Sequence, residues 1–148
     1  MSNQLSVPFD QTHYVRDHCL CLAAQRTARR LARRFDEALR PVGLTSGQFS
    51  LLMSLNRPQP PSMGAVAATL AMDRTTLTSN LKPLERRGLV ERGGDPADKR
   101  AKLLRLTEEG GKLLAAALPI WRLTHDEIDG EMPDGSCADL RSALAILS

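Results

Sequence analysis

Aromatic residues are scarce in this chain of 148 residues, where Phe, Trp and Tyr together occupy only 3% of the positions. Proteins that bind single-stranded nucleic acid or RNA loops stack successive bases on aromatic side chains. Five aromatic residues are too few for such a platform, which argues against single-strand recognition. They are Phe9, Tyr14, Phe35, Phe49 and Trp121.

Cysteines and long apolar runs are also few. The odd count of three cysteines argues against a disulfide-stapled secreted domain and for a reducing compartment. No run approaches the roughly 18 apolar residues that a membrane-spanning helix needs, and residues 1–18 lack the apolar centre of a signal peptide. We therefore expect a cytoplasmic protein that does not contact membranes.

The formal net charge of +3 at pH 7 is unevenly distributed. Residues 1–44 carry +3, residues 45–107 carry +5 and residues 108–148 carry −5. The basic middle segment favours contact with a polyanion, although two solvated surfaces of opposite charge would give the same distribution. The length fits one domain, or a small domain joined to an oligomerisation element.

Apolar spacing predicts a mainly helical chain. Apolar residues recur every three or four positions from residue 20 to residue 39, which predicts one long amphipathic helix from about Thr12 to Arg40. A capping box at Thr45–Gln48 begins a second helix, and a proline-rich connector follows it. Two further helices are predicted over Met63–Leu70 and Arg74–Arg87. Their caps are Ser62 and Asp73, and their inward residues are Ala65, Val66, Leu70, Leu77, Leu81 and Leu84.

Two short strands are predicted next, at Leu89–Arg92 and Lys102–Leu106, separated by a long, basic, turn-rich tip over residues 93–100. Thr107 then caps a helix that runs towards Asp129, and Pro119 should kink it. A last helix begins near Ser136. The expected fold is mainly α with a small β-hairpin.

The third and fourth helices and the hairpin together form a winged helix-turn-helix pattern. With Leu77 and its neighbours facing the core, the exposed face of the fourth helix carries short hydroxyl side chains followed by cations. Hydroxyls suit base edges, and cations suit phosphates. The residues of this face are Thr75, Thr76, Thr78, Ser79, Lys82 and Arg86. Arg92, Lys99, Arg100 and Lys102 add positive charge beside it on the wing.

The segment Asp73–Arg92, followed by Asp98–Arg100 and by Leu104–Gly110, resembles the DNA-binding half of the MarR family of bacterial transcriptional regulators. The resemblance implies that the fourth helix reads the major groove, that Arg100 enters the minor groove and that Asp98 orients Arg100. Pro83 departs from the family pattern. The predicted DNA-contacting set is Arg74, Thr75, Thr76, Thr78, Ser79, Lys82, Asp98, Lys99 and Arg100.

The resemblance also implies a homodimer that binds a pseudo-palindromic duplex. The terminal helices carry more apolar faces than a winged domain of about 60 residues could bury, which supports this expectation. We therefore predict that residues 1–44 and 108–148 mediate dimerisation and that residues 45–107 bind DNA. The function that follows is a transcriptional regulator that a small ligand or cysteine modification releases from DNA.

Cys19 and Cys21 are the candidate sensor residues. In the peroxide-sensing, OhrR-like branch of the family a reactive cysteine lies in the first helix, and an ungapped alignment places Cys21 there. The tyrosines that support it in that branch are absent here. Core packing of Cys21, its oxidation and binding of a soft metal all remain open. On one helix Cys19 and Cys21 would point about 200° apart and could not share an ion, so we predict no resident metal site and no cofactor. Soft-metal binding would need an unwound helix start or a ligand from another segment.

A second sensing site is predicted around Trp121 and His125, which lie four residues apart on one helix face. With Phe49 and His18 they are candidates for a pocket that takes a small aromatic anion, although core packing of the tryptophan is the alternative.

A winged-helix module that binds proteins rather than DNA is the alternative to a DNA-binding regulator. An enzyme is not expected, because the sequence has no glycine-rich phosphate loop, no His-Glu-x-x-His motif and no evident nucleophile paired with a histidine.

Overall fold

A computed structural model describes residues 1–148. The chain folds into seven α-helices, one short 3-10 helix and a two-stranded antiparallel sheet, which confirms the predicted fold class. The elements are α1 (Phe9–His18), α2 (Leu20–Leu39), the 3-10 helix (Arg40–Val42), α3 (Ser46–Leu55), α4 (Met63–Thr69), α5 (Arg74–Arg86), β1 (Val90–Asp95), β2 (Asp98–Leu106), α6 (Glu108–Glu131) and α7 (Ser136–Ile146).

The prediction of one long N-terminal helix is wrong, because the helix is interrupted at Cys19. This residue has extended backbone angles, φ −76° and ψ 105°, and it caps α2 by accepting a hydrogen bond from the Leu22 N–H at its Sγ atom over 3.4 Å. Its own N–H closes α1 by donating to the Val15 carbonyl at 2.8 Å. A thiol is not a usual helix cap, and no proline or glycine marks the break. The apolar spacing therefore predicts a continuous helix through Cys19.

The predicted helix starts in the middle of the chain are confirmed. Thr45 and Gln48 form a reciprocal capping box, with distances of 3.1 Å to the Gln48 N–H and 3.0 Å to the Thr45 N–H. Ser62, Asp73 and Thr107 each accept a hydrogen bond from a backbone N–H in the first turn of α4, α5 and α6. These caps fix the start of every helix in the winged part of the molecule.

One apolar core lies beneath α3, α4, α5 and the hairpin. Its 17 buried residues run from Leu39 at the end of α2 to Ala117 in α6, and the predicted inward residues Leu77, Leu81 and Leu84 are fully buried. Each such leucine contributes about 1.5–3 kcal/mol through its burial. The prediction that Ala65 faces the core is wrong. That side chain is exposed, because α4 turns Met63, Val66 and Ala67 towards the core and leaves Leu70 half-buried.

The hairpin is longer and its turn is tighter than predicted. β1 and β2 pair from Val90 opposite Leu106 to Gly94 opposite Lys102, and a bulge after Gly94 brings Asp95 opposite Asp98. Only two residues separate the strands, so the predicted long loop over residues 93–100 is wrong. The glycines and the bulge allow this turn-rich segment to pair. The Leu104 N–H also donates to the Pro61 carbonyl at 2.9 Å, which fastens the proline connector to the wing.

The terminal helices are much less buried than the centre. α6 runs unbroken through Pro119, and its first half packs on the winged core. By contrast, α1 and α7 contain no buried residue. None of the helices has the length and apolar character that crossing a bilayer requires.

Candidate DNA interface and ligand pocket

The start of α5 is held by a carboxylate cap. A turn after α4, in which Ala71 takes a left-handed conformation at φ 52°, leads to Asp73. The Asp73 carboxylate accepts the Thr76 N–H at 2.7 Å and the Thr76 hydroxyl at 3.0 Å. These hydrogen bonds from Thr76 favour the ionised form and lower the pKa of Asp73. The cap therefore fixes the angle at which α5 leaves the turn.

The hydroxyl side chains of α5 fall into two pairs. The Thr76 hydroxyl donates to Asp73, and the Thr78 hydroxyl donates to the Arg74 carbonyl at 2.8 Å. Thr75 and Ser79 are exposed, and neither hydroxyl has a hydrogen-bond partner within the chain. Of the four predicted hydroxyl contacts, these two are free to donate to an outside group and to accept from it.

Unpaired cations flank the free hydroxyls. On α5, Arg74 and Lys82 are exposed and form no ion pair. On β2, Lys99 and Arg100 likewise have no carboxylate partner, and both are exposed near the tip of the hairpin. The Asp98 carboxylate accepts the backbone N–H of Arg100 at 2.9 Å, so it holds the main chain of the wing rather than the guanidinium group.

The prediction that Arg92 adds to the free charge of the wing is wrong. Its guanidinium group contacts both carboxylate oxygens of Glu85, at 2.8 and 3.2 Å, and links β1 to α5. Arg105 is similarly paired with Glu91 across the hairpin. Both arginines therefore have their charge balanced inside the chain. The sequence could not predict the contact between Arg92 and Glu85, because this contact depends on how the hairpin packs against α5.

Three of the four predicted pocket residues come together. Trp121 stacks on Phe49 with ring centroids 6.1 Å apart, and the His125 ring centroid lies 5.2 Å from that of Trp121. They line a cavity of about 250 Å³ between α2, α3 and α6, which Phe35 and Leu31 also border. We call this cavity the aromatic pocket. The His125 Nδ1 atom lies 3.3 Å from an Asp129 carboxylate oxygen.

His18 does not reach the aromatic pocket in the single chain, contrary to the prediction. It lies at the end of α1, where its ring stacks on Tyr14 at a centroid distance of 4.0 Å. Its Nδ1 atom is 2.8 Å from the Tyr14 carbonyl oxygen. His18 precedes Ala28, the first α2 residue that borders the pocket, by ten positions, which is about 15 Å along a helix.

The three cysteines have different surroundings. Cys19 is half-buried as the cap of α2, so the argument from helical spacing does not apply to it. Cys21 is exposed beside Leu20 and Leu144, and its interpretation as a core residue is wrong for the single chain. The Asp129 carboxylate, which lies near Cys137, raises the pKa of the Cys137 thiol. Sequence reasoning missed that Cys137, at the start of α7, lies near Asp129, close to the end of α6.

Comparison with known proteins assigns the chain to a family. A sequence profile described as "MarR family" matches residues 42–101, from the end of the 3-10 helix into β2 of the wing. The crystal structure of the Mycobacterium tuberculosis transcriptional regulator MosR in complex with DNA is similar with a TM-score of 0.80 and 37% sequence identity. The match covers 88% of this chain and 93% of that chain. The chain belongs to the MarR family.

Other MarR-like relatives extend the comparison. The transcriptional repressor CouR, bound to a 23-mer DNA duplex, is 30% identical with a TM-score of 0.80, covering 90% of this chain and 94% of that one. CouR from Rhodococcus jostii is also known with p-coumaroyl-CoA bound. The transcriptional regulator HosA of Escherichia coli O111:H- is 37% identical over 90 residues, which span 60% of this chain and 66% of HosA, slightly less than two thirds of its length. The fold is that of the MarR winged-helix regulators.

Proposed function

We propose that this MarR-family protein is a homodimeric repressor that binds a specific, pseudo-palindromic DNA duplex and has no enzymatic activity. The observation that carries the proposal is that Thr75 and Ser79 on α5 have exposed hydroxyls without internal partners, while Lys99 and Arg100 on the wing are exposed and unpaired. Free hydrogen-bonding groups on a helix that fits the major groove suit base edges, and the flanking cations suit phosphates.

Each part of this surface has a role in the proposal. Thr75 and Ser79 contact base edges, while Arg74 and Lys82 contact phosphates. Arg100 enters the minor groove, where a narrow groove concentrates negative potential. Thr76, Thr78 and Asp98 act indirectly, because their side chains hold the cap of α5, the Arg74 carbonyl and the backbone of the wing. Lys99 adds charge without sequence preference.

Dimerisation is assigned to residues 1–44 and 108–148, and DNA binding to residues 45–107. Support comes from the exposed apolar side chains of α7, where Leu140 and Leu144 are 46% and 44% exposed in the single chain. A two-fold dimer presents two copies of α5 and therefore matches half-sites about one helical turn apart, roughly 34 Å.

Release from DNA is assigned to a small aromatic anion in the aromatic pocket, beside Phe49, Trp121 and His125. The pocket lies between α2 and α6 on one side and α3 of the winged part on the other, so its occupant can change their relative position. The solved complex of CouR with p-coumaroyl-CoA supports an aromatic effector. Oxidation of Cys21, with Cys19 beside it, is the second route, and it is favoured by the exposure of the Cys21 thiol.

The test is selection of bound duplexes from a random library, followed by affinity measurements on the selected site. We expect Arg100→Ala to weaken binding by about 1–3 kcal/mol, and Ser79→Ala to relax base preference at one position of each half-site. Arg29→Ala serves as the control, because Arg29 is an exposed arginine of α2 outside this surface. Absence of any preferred duplex would refute the proposal and leave a protein-binding winged module as the function.

A further inference from the structure

A second cavity of about 500 Å³ lies between α3, the end of α4 and α6. We call it the α3–α4 cleft. It shares Phe49, Ser50 and Trp121 with the aromatic pocket, but α4 borders it where α2 borders the aromatic pocket. Its volume is about twice that of the aromatic pocket. The cleft is therefore a different candidate site, and it touches the helix-turn-helix directly.

Met53 lies in this cleft and is exposed in an otherwise well-buried part of the chain. Within residues 45–107 it is the one large apolar side chain that stays exposed, at 38%. Leu70 and Leu118, which line the same cleft, are only half-buried. The core of the winged part is complete without them, so packing within the chain does not explain this apolar surface. A bound apolar group would remove it from water, and the flexible side chain of methionine adapts to such a group.

The polar side chains of the cleft include free donors. The hydroxyls of Ser54 and Thr69 donate to carbonyls of their own helices, at 2.6 and 2.9 Å. By contrast, the side chains of Ser50, Asn56 and Arg57 have no hydrogen-bond partner within the chain, and Arg57 forms no ion pair. Arg57 is also the one charged residue of the lining. The cleft therefore suits a ligand with a single negative charge.

The cleft is long in the direction of α3. Phe49 and Met53 lie one turn apart on α3, and Arg57 follows four positions later, just beyond the end of the helix. Eight residues of helical rise correspond to about 12 Å. The aromatic side chains therefore lie at one end of the cleft, and the free guanidinium group lies at the other. A chain with a charged head spans this distance better than a compact ring does.

We propose that the α3–α4 cleft binds an aliphatic monocarboxylate, such as a fatty acid of medium chain length. Arg57 donates two parallel N–H bonds to the carboxylate, in the geometry that a guanidinium group favours. The aliphatic chain lies against Met53 and reaches Trp121 at the other end. None of these residues belongs to the DNA-contacting surface, so the site is separate from the operator-binding residues.

Occupation of the cleft acts on the helix-turn-helix. Leu70 lines the cleft and ends α4, and the turn that leads to α5 begins at the next residue, Ala71, in its left-handed conformation. A chain bound against Leu70 displaces the end of α4 and with it the start of α5. We expect operator affinity to fall when the cleft is filled. This consequence rests on the proposed function, whereas binding of the carboxylate does not.

The test is isothermal titration of the full-length protein with octanoate and with octanol, which share a chain and differ in the carboxylate. We expect octanoate to bind more tightly than octanol by about tenfold or more, through its charge-assisted hydrogen bonds to Arg57. Arg57→Ala should remove this difference and leave the affinity for octanol unchanged. Met53→Glu should weaken both ligands, because it places a charge in the apolar part of the cleft.

Two variants serve as controls. Arg29→Ala removes the same charge from an exposed position of α2, far along the chain from the cleft, and should leave octanoate binding unchanged. His125→Ala alters the aromatic pocket alone, because His125 lines that cavity and not the cleft. It should also leave octanoate binding unchanged.

Four results would overturn the inference. They are no binding of octanoate at about 1 mM, equal losses in Arg29→Ala and Arg57→Ala, a loss in His125→Ala but not in Arg57→Ala, and unchanged octanoate affinity in Met53→Glu. Weaker self-association in that last variant would assign the cleft to a second copy of the chain. Octanoate that binds without lowering operator affinity would refute the coupling to α5. If the protein bound no specific operator, the proposed function would fail, and the titrations would still decide whether the cleft binds the carboxylate.

Discussion

The winged part and the terminal helices differ in how completely they bury their apolar side chains. In the winged part, Leu52, Leu77 and Leu81 are fully buried under several covering elements. In α7, Leu140 and Leu144 remain nearly half exposed, and α1 buries no residue at all. Both parts are rich in leucine, so the difference lies in the number of elements that cover each leucine. A single copy completes the winged core but leaves the terminal helices without a covering surface.

The strongest way to test this contrast is to remove the same side-chain atoms from each part. Leu81→Ala should lower the free energy of unfolding by about 2–5 kcal/mol, because it leaves a cavity in a fully packed core. Urea denaturation measures this loss.

Leu144→Ala is the matched control. Its loss from the single chain should be smaller, and its main effect should be weaker self-association in sedimentation velocity. Equal destabilisation by the two substitutions, with unchanged self-association in Leu144→Ala, would contradict the contrast.

The junction between the two parts offers a second test. Gly110 lies in the first turn of α6 directly over the Leu89 carbonyl, and a Cβ atom there would collide with that backbone oxygen. Gly110→Ala should therefore destabilise the protein by about 1–3 kcal/mol in thermal unfolding.

Its neighbour Gly111 has no atom near the position of an added Cβ. Gly111→Ala should instead stabilise the protein, by up to about 1 kcal/mol, through the higher helix propensity of alanine. If both substitutions stabilised α6, the close approach of α6 to the end of the hairpin would be refuted.

The smallest expected effect concerns the pH dependence of the winged part. Hydrogen bonds from Thr76 lower the pKa of Asp73 in the folded state, so its contribution to stability is present above the unfolded pKa and is lost as the pH falls through the folded one. Between about pH 5 and pH 3, Asp73→Asn should lose less stability than the wild type, because asparagine caps without titrating. Parallel pH profiles for the two proteins would argue against this role of Asp73.

Features that depend on neighbouring residues could be predicted from the sequence. The caps at Thr45, Ser62 and Asp73 follow from a side chain and a backbone N–H three residues away, and the inward leucines of α5 follow from helical spacing. The face of α5 was therefore placed correctly. Which hydroxyls of this face are free could not be predicted. Only the hydrogen bonds of the folded chain show that Thr76 and Thr78 are engaged, whereas Thr75 and Ser79 are free.

Features that depend on distant segments could not be predicted. The pairing of Arg92 with Glu85 requires the hairpin to lie against α5, and the length of the hairpin depends on a bulge. The break at Cys19 depends on a sulfur atom that accepts a backbone hydrogen bond.

The two internal ion pairs of the wing also affect how strongly the affinity for DNA depends on salt concentration. Cations that bind DNA displace the counterions condensed on its phosphates, and this displacement makes affinity fall as salt rises. Arg92 and Arg105 are held by Glu85 and Glu91 and so contribute little to that exchange. The operator affinity of the wing should therefore tolerate changes in cellular salt better than its number of basic residues suggests.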